Sequence, residues 1–470
     1  MLDISALIAG QPEAIFGIGY ADTGTVGMYC MILLLVLVAM GVRVVFAAGI
    51  TGLVGLVELI GWSGAAATVG SIPYSKSVSF VLGLLPMFIL IGYLAFHAGM
   101  TRQLFHASKV WLGWVPGGMA VATVFAAAGF AAVSGASVAT AAVFARVAIP
   151  EMLEAGYKKT LAAGVVAAGG TLATLIPPSA ILVIYAIIVE ESVGALLIAG
   201  FLPGVFSAII YGLIIIVWAK LNPDAGPAIT GFTWGDRIRA LPGLLPIMAV
   251  AIIIITAVYD GWATPTEAGA LGAFIVLITA FLNGMRWPAL KAALMETSKL
   301  VVMIFCLIWG VLIFGRFLGF SAVPEAFANW ILSLDHDPYV ILFAILMGYV
   351  ILGMFMDAIG LLLLTLPVVY PAIMALNGGE YVTAEDSAFG MTGAQASIWF
   401  GIIVVKMAEV CLITPPIGLN CFVVNGVRPD IPLTDVFKGI ALFFVADVLT
   451  IIGLIFFPAI ITYLPDQMFN

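Results

Sequence analysis

Apolar positions along this chain come in long runs, unlike the alternation of a half-buried strand or the single stripe of a soluble helix. Runs at 27–42, 44–60 and 80–99 lead to a polar stretch, 101–110, where Arg102, Gln103, His106 and Lys109 predict a helix lying along a membrane interface. The next segment, 114–149, is interrupted by the small residues Ser134, Gly135, Ala136 and Ser137. Each arm is about 17 residues, short for a full crossing at about 1.5 Å rise per residue, so the pattern predicts a re-entrant helical hairpin with its tip at those four positions. A broken helix is expected at 160–188 and a full span at 194–219. The second half runs through the same programme. Spans at 243–258, 264–282 and 299–320 precede a polar stretch at 323–334 and an interrupted segment at 337–375 centred on 353–360. A broken helix at 396–427 and a span at 434–462 close the list.

Both broken helices carry a proline pair, Pro177-Pro178 and Pro415-Pro416. Proline has no N–H and its ring clashes with the preceding turn, so a helix cannot run intact through two in succession, and backbone groups are released at membrane depth. Interrupted apolar segments at corresponding places in two halves point to the ion and substrate sites of a secondary transporter. The register supports a repeat. An offset of 223 residues carries Gly92 onto Gly315 and Ser134 onto Asp357, whereas the proline pairs differ by 238, the excess being taken up by the polar loop 377–392. The expected organisation is an N-terminal extension, 1–26, a first inverted repeat, 27–220, a linker, 221–242, and a second repeat, 243–463.

Composition agrees. Over 470 residues, 63% are hydrophobic and 9% charged, with a mean hydropathy of +1.22, which leaves no soluble surface to build. The expected fold class is therefore an all-α polytopic membrane protein. Asp3, Glu13 and Asp22 precede the first run without any Lys or Arg, so no secretory signal is read there. Cys30, Cys306, Cys411 and Cys421 all lie in apolar segments without metal-ligand spacing and read as small hydrophobes. No basic stripe suggests nucleic acid, and no Gly-x-x-x-x-Gly-Lys-Ser/Thr loop suggests ATP. If the linker is cytoplasmic, Arg43, Arg102, Lys109, Arg146, Lys158, Lys159, Lys220 and most other basic residues share its side. Only Lys76 then falls clearly outside, and both termini are extracytoplasmic. The two hairpins then enter from opposite faces, which makes the halves inverted.

Several motifs in order resemble one family. These are Leu85-Pro86-Met87-Phe88, the tip Ser134 to Thr140, Ile149-Pro150-Glu151-Met152 followed by Gly156-Tyr157, Leu175-Ile176-Pro177-Pro178-Ser179, and Gly200-Phe201-Leu202-Pro203-Gly204. In the second half they are Gly353-Met354-Phe355-Met356-Asp357 and Ile413 to Leu419. Over residues 28–465 the chain resembles the large membrane subunit of TRAP transporters, the DctM family. It departs at Ala136, where the family more often has serine. The resemblance implies a sodium-driven uptake system for an organic acid anion such as a C4-dicarboxylate or sialic acid, in a bacterial or archaeal inner membrane. It also implies a small four-helix membrane subunit (Q-type) and an extracytoplasmic substrate-binding protein (P-type) as partners, and an elevator fold in which a transport domain of hairpins and broken helices moves against a scaffold. A single-component sodium:carboxylate symporter of related architecture is the alternative.

Sodium is a hard cation, served in an apolar interior by carbonyls freed at a helix break and by nearby hydroxyls. One expected site draws on Ser134, Gly135 and Ser137 with Gly170, Thr171 and Pro177. By pseudo-symmetry a second draws on Gly353, Asp357 and Ala358 with Thr414, Pro415 and Gly418. A carboxylate substrate is expected near helix N-termini at Ser137, Ser179 and Gly418, assisted by Thr140, Thr414, Asn420 and Asn425. Singly, such hydroxyls are more often helix-packing residues. Asp357, a carboxylate among apolar neighbours, is a functional candidate that would coordinate sodium, carry a proton or pair with a structural cation. Lys406 and Glu409, three apart on one helix, read as an internal ion pair. An intramembrane enzyme would need a nucleophile–base pair or a metal cluster, and no such set is visible, because His97, His106 and His336 are scattered.

Overall fold

A computed structural model describes residues 23–468; the acidic residues Asp3, Glu13 and Asp22 and most of the expected N-terminal extension lie outside the described residues. Among the described residues every regular element is helical, and eight helices are long and apolar enough to cross a membrane. In chain order the α-helices are α1 (Thr23–Ala39), α2 (Val44–Ser77), α3 (Leu84–His97), α4 (Met100–Leu112), α5 (Gly118–Ser134), α6 (Ser137–Glu154), α7 (Lys159–Thr171), α8 (Ala180–Val189), α9 (Val193–Leu221) and α10 (Trp234–Ala240). They continue with α11 (Leu245–Tyr259), α12 (Pro265–Leu282), α13 (Trp287–Phe320), α14 (Val323–Ser333), α15 (Pro338–Gly353), α16 (Ala358–Asn377), α17 (Gly393–Cys411), α18 (Leu419–Val427), α19 (Leu433–Phe456) and α20 (Ala459–Met468).

Three expected spans have different bounds. The apolar run ending at residue 60 belongs to a helix that continues to Ser77 through a kink at Gly61, whose φ is 73°. The run starting at 299 belongs to one that begins at Trp287. In both, the polar flank is still helix-compatible, and a change of solvent along the chain need not end a helix. The run 434–462 is two helices, because Phe457-Pro458 stops α19 and α20 restarts at Ala459.

The described chain divides into two compact units, each assembled from both halves of the sequence: one comprises 23–82, 301–345 and 359–397, the other 83–300, 346–358 and 398–468. In the first unit the helices close on glycines. An added β-carbon at Gly52 would meet the backbone of Phe314 at 2.7 Å, and one at Gly49 the Cα of Gly310 at 3.6 Å, so α2 and α13 pack nearly main chain to main chain. Ile331, Ile341 and Ala372 form a smaller buried cluster that joins α14, α15 and α16.

In the second unit α5 and α6 form an antiparallel hairpin. Met119 N–H donates to the Tyr157 hydroxyl at 3.0 Å, Thr123 faces Met152, and Phe130 stacks edge-on to Phe144 at 6.2 Å, so the start of one arm meets the end of the other. The arms are 17 and 18 residues long, as the spacing predicts. The segment after α9 runs as a strap over the hairpin base. Ile229 N–H donates to the Gly113 carbonyl (2.8 Å), Gly117 N–H to the Gly226 carbonyl (3.0 Å), Lys158 N–H to the Ala225 carbonyl (3.1 Å), and the Tyr157 hydroxyl to the Pro227 carbonyl (2.9 Å). Burial pushes the Tyr157 phenol up to about 12, so it stays a neutral donor. Across the base, Lys109 on α4 pairs with Glu151 on α6 at 2.5 Å.

Helices α7 and α19 pass each other in the same direction at very close range. A β-carbon at Gly164 would lie 2.5 Å from the Gly439 carbonyl carbon, a separation only two glycines permit. Lys159 at the start of α7 donates to the Asp430 carbonyl at 3.1 Å in the turn before α19. Arg428 grips the Asp430 carboxylate at 2.7 and 2.8 Å and holds its pKa down at about 2.

Candidate functional site

Both proline pairs interrupt their helices, and both Pro–Pro bonds are cis. In the first, α7 ends at Thr171, a short 3-10 turn covers Leu172–Thr174, and α8 begins at Ala180 with Ser179 as its N-cap, accepting from Leu182 N–H at 3.3 Å. The Ser179 hydroxyl donates to the Thr174 carbonyl, and the Thr174 hydroxyl donates to the Thr171 carbonyl at 2.9 Å, so the side chains of the break satisfy part of the backbone it releases. In the second, α17 ends at Cys411 and α18 begins after Gly418, whose φ of 43° makes a left-handed turn. The Thr414 hydroxyl donates to the Val410 carbonyl at 2.7 Å.

The first hairpin tip lies against the first break. Gly135 has a φ of 57°, and a β-carbon there would run into the Pro178 carbonyl oxygen, so the position needs glycine on two counts. Ser134 Oγ lies 3.1 Å from Thr140 Oγ1, and Thr140 also donates to the Ala136 carbonyl at 2.9 Å. Gly170 on α7 packs on the backbone of Ala141, where a β-carbon would meet its nitrogen at 3.0 Å. The second interrupted segment also approaches its own break, through a different contact. Gly353, at the end of α15, packs on Cys411, whose sulfur would collide with any side chain at that position. The Cys411 thiol donates to the Tyr349 carbonyl at 3.5 Å. Met354–Asp357 then turn the chain before α16, with Asp357 half-buried and Ala358 buried.

Asn420 joins these parts. Its Nδ2 donates to Ser137 Oγ at 2.9 Å and to the Ala167 carbonyl at 3.1 Å, and its own N–H donates to the Leu412 carbonyl at 3.0 Å. It therefore touches the first hairpin tip, the first broken helix and the second break. Its Oδ1 is buried and accepts no hydrogen bond, which leaves an amide oxygen at the junction available to a cation or a donor. Of the residues expected from the sequence, Ser134, Gly135, Ser137, Thr140, Gly170, Ser179 and Asn420 come together around Asn420 and the Gly135–Pro178 contact. Asn425 does not join them. Its Nδ2 donates to the Ile431 carbonyl at 2.8 Å and holds the turn after α18. Thr171 turns its hydroxyl to Glu409 instead, Oγ1 lying 2.8 Å from Oε1.

Lys406 and Glu409 do pair, with Nζ 3.1 Å from Glu409 Oε2, but Lys406 is closer to a third partner: Asp447 Oδ1 on α19 lies 2.7 Å away. Tyr211 on α9 donates to the same Asp447 oxygen at 2.6 Å, and its ring faces the ammonium at 5.3 Å. The internal pair read from the sequence is thus a three-charge cluster with two hydroxyls. Asp447 and Tyr211 were missed, although Asp447 stands inside an apolar run just as Asp357 does, and the same rule about intramembrane carboxylates finds it. The Thr171–Glu409 contact spans 238 residues, the spacing between Pro177 and Pro415, and Tyr211–Asp447 spans 236.

A helical hairpin seated on a helix broken at a proline pair, with a second such break, within an all-helical multi-pass membrane chain, points to a transporter permease. The family model described as "Tripartite ATP-independent periplasmic transporter, DctM component" matches residues 31–460, and the chain belongs to that family. A C4-dicarboxylate TRAP transporter large permease protein DctM from Pseudomonas aeruginosa is 32% identical over 84% of this chain and 88% of its own length. The sialic acid large permease SiaM of Vibrio cholerae is 27% identical (83% and 87%), and the ectoine large permease TeaC of Halomonas elongata 28% identical (82% and 86%). Among solved structures, the Alcanivorax borkumensis YdaH transporter superposes with a TM-score of 0.53 at 14% identity, covering 86% of this chain and 90% of that one, a likeness of fold. The chain is a transporter subunit and not an enzyme.

Proposed function

We propose that this chain is the large permease subunit of a sodium-coupled, binding-protein-dependent importer of an organic acid, moving its cargo by an elevator step. The observation that carries the reading is Asn420. One amide bonds the first hairpin tip and the first broken helix while its backbone bonds the second break, so a ligand bound at any of them changes the others' geometry. A first sodium ion is held by Ser134, Gly135, Ser137 and the backbone around Gly170 and Pro177, with the Asn420 amide oxygen in the place expected of Thr171. A second is held by Gly353, Asp357, Ala358, Thr414, Pro415 and Gly418. The solute's acidic group lies near Ser137, Thr414 and the N-terminus of α18, whereas Thr140 and Ser179 spend their hydroxyls on the tip and the cap. The relatives' names give C4-dicarboxylate, sialic acid and ectoine, each of which carries an acidic group. The partners in this reading are a small membrane subunit and an extracytoplasmic binding protein.

The test is uptake into proteoliposomes containing this chain with its small subunit, the binding protein and labelled C4-dicarboxylate or sialic acid being supplied outside. Uptake is expected to require an inward sodium gradient and the binding protein. Uptake by this chain alone would replace the three-part reading with a single-component symporter, and uptake indifferent to sodium would remove the coupling. Ser134→Ala with Ser137→Ala, and separately Asp357→Asn, are expected to weaken sodium activation; an unchanged response removes the corresponding site.

A further inference from the structure

Lys406, Glu409 and Asp447 are the charged side chains buried in the second unit among the described residues, each with 0% exposure. With all three ionised they carry one ammonium and two carboxylates, which leaves one negative charge over in a region where an uncompensated charge is expensive. The hydrogen bonds around them are incomplete as well. Asp447 Oδ1 accepts from Tyr211 and lies at ion-pair distance from Lys406, whose Nζ makes no hydrogen bond, while Asp447 Oδ2 and Glu409 Oε2 are buried and accept nothing. Thr171 has a single hydroxyl hydrogen yet lies 2.7 Å from the Ala168 carbonyl and 2.8 Å from Glu409 Oε1, both acceptors when Glu409 is ionised. Four helices meet at the cluster: α7 contributes Thr171, α9 Tyr211, α17 Lys406 and Glu409, and α19 Asp447.

We propose that these residues form a further cation site, in which one sodium ion held by the Glu409 and Asp447 carboxylates, with the Tyr211 and Thr171 hydroxyls beside it, supplies the missing positive charge. The missing charge is a single unit, which suits a monovalent ion, and the available donors are all oxygens, which suits a hard one. The site is distinct from those proposed at the hairpin tips and lies between the two broken helices, since Glu409 precedes the second break on α17 and Thr171 closes α7 before the first. An ion here neutralises the contact that ties one break to the other.

The test counts bound sodium by equilibrium dialysis with radioactive sodium in a choline background, on monodisperse purified protein. Glu409→Gln removes the surplus charge and is expected to lower the count by one. The double variant Lys406→Met with Glu409→Gln leaves Asp447 as the one charge and is expected to restore it. Asp447→Asn removes the same charge from the opposite helix and replaces Glu409→Gln if that variant does not fold. A count that follows the net charge through this series is a response that a merely structural ion pair does not give. A count unchanged across the series means that a proton closes the charge, and overturns the assignment. If the wild-type chain binds no sodium at all, the sodium coupling proposed above falls with it; if it binds sodium but the series is flat, only this site falls.

Discussion

The two proline-pair breaks share a motif, a cis bond and a glycine-packed tip, yet they differ in burial. Every residue of the first break from Leu172 to Ala180 is buried, whereas Pro415, Pro416 and Ile417 of the second are exposed. The first is sealed by its hairpin, with Gly135 on the Pro178 carbonyl, and by α9, where β-carbons at Gly200 and Gly204 would meet the Leu175 carbonyl oxygen and Ile176 at 2.5 Å. The second is held at Cys411, by Asn420 and by Phe437 beside Gly418, yet residues 415–417 stay exposed. The difference teaches that the same local chemistry serves two ends. A sealed break keeps its released carbonyls dry and in place, and an open one leaves its N–H and C=O groups reachable by something arriving from outside the unit.

The contrast is most severely challenged at Gly135. Gly135→Ala brings a left-handed alanine and a clash with Pro178 together, and is expected to cost more than about 3 kcal/mol, seen as loss of monodisperse protein or a large fall in Tm. A variant with wild-type Tm would show that the first break is not sealed. Next comes a matched pair. Ile176 is 4% exposed and Ile417 40% exposed, each beside its proline pair, so Ile176→Ala should cost about 2–5 kcal/mol while Ile417→Ala stays within about 0.5 kcal/mol. Equal effects in thermal unfolding would erase the distinction. Asn420→Leu, which strips donors from Ser137 and Ala167, should cost about 1–3 kcal/mol and abolish uptake, because it uncouples the sealed region from the open one. The smallest effect is expected at Asp430. Its pKa is depressed to about 2 by Arg428, so the pair's contribution is complete above the unfolded value of about 3.9 and fades as pH falls through about 2. Asp430→Asn should therefore shift Tm by the same small amount at pH 8 and pH 5, and a difference that changes between those two values would contradict the pairing.

The features legible in the sequence were those that depend on local chemistry. A proline pair cannot continue a helix, so both breaks could be placed within a few residues, and Gly135 announced a turn between two arms too short to cross alone. Helix limits were harder to see. The helix through Gly61 to Ser77 and the early start at Trp287 lie in polar flanks that hydropathy reads as the end of a span, although backbone hydrogen bonding is indifferent to where the apolar run stops. The charged cluster needed the fold itself. Lys406 and Glu409 share one helix and could be paired from spacing, but Tyr211 and Asp447 meet across 236 residues because α9, α17 and α19 converge. Nor could the partner of Thr171 be read from its position beside a break, since its hydroxyl meets Glu409, a residue of the other half.

The strap over the first hairpin base has a practical consequence for anyone who cuts or labels this polypeptide. Residues 225–229 are bonded to the chain just before α5 and just after α6, so a tag or a nick there should spread the hairpin at its root. Two residues further on, Gly231 has a φ of 111° and open space around it. A fluorophore or a protease site placed at Gly231 reports on the joint between the two halves of the chain while leaving the lashing intact.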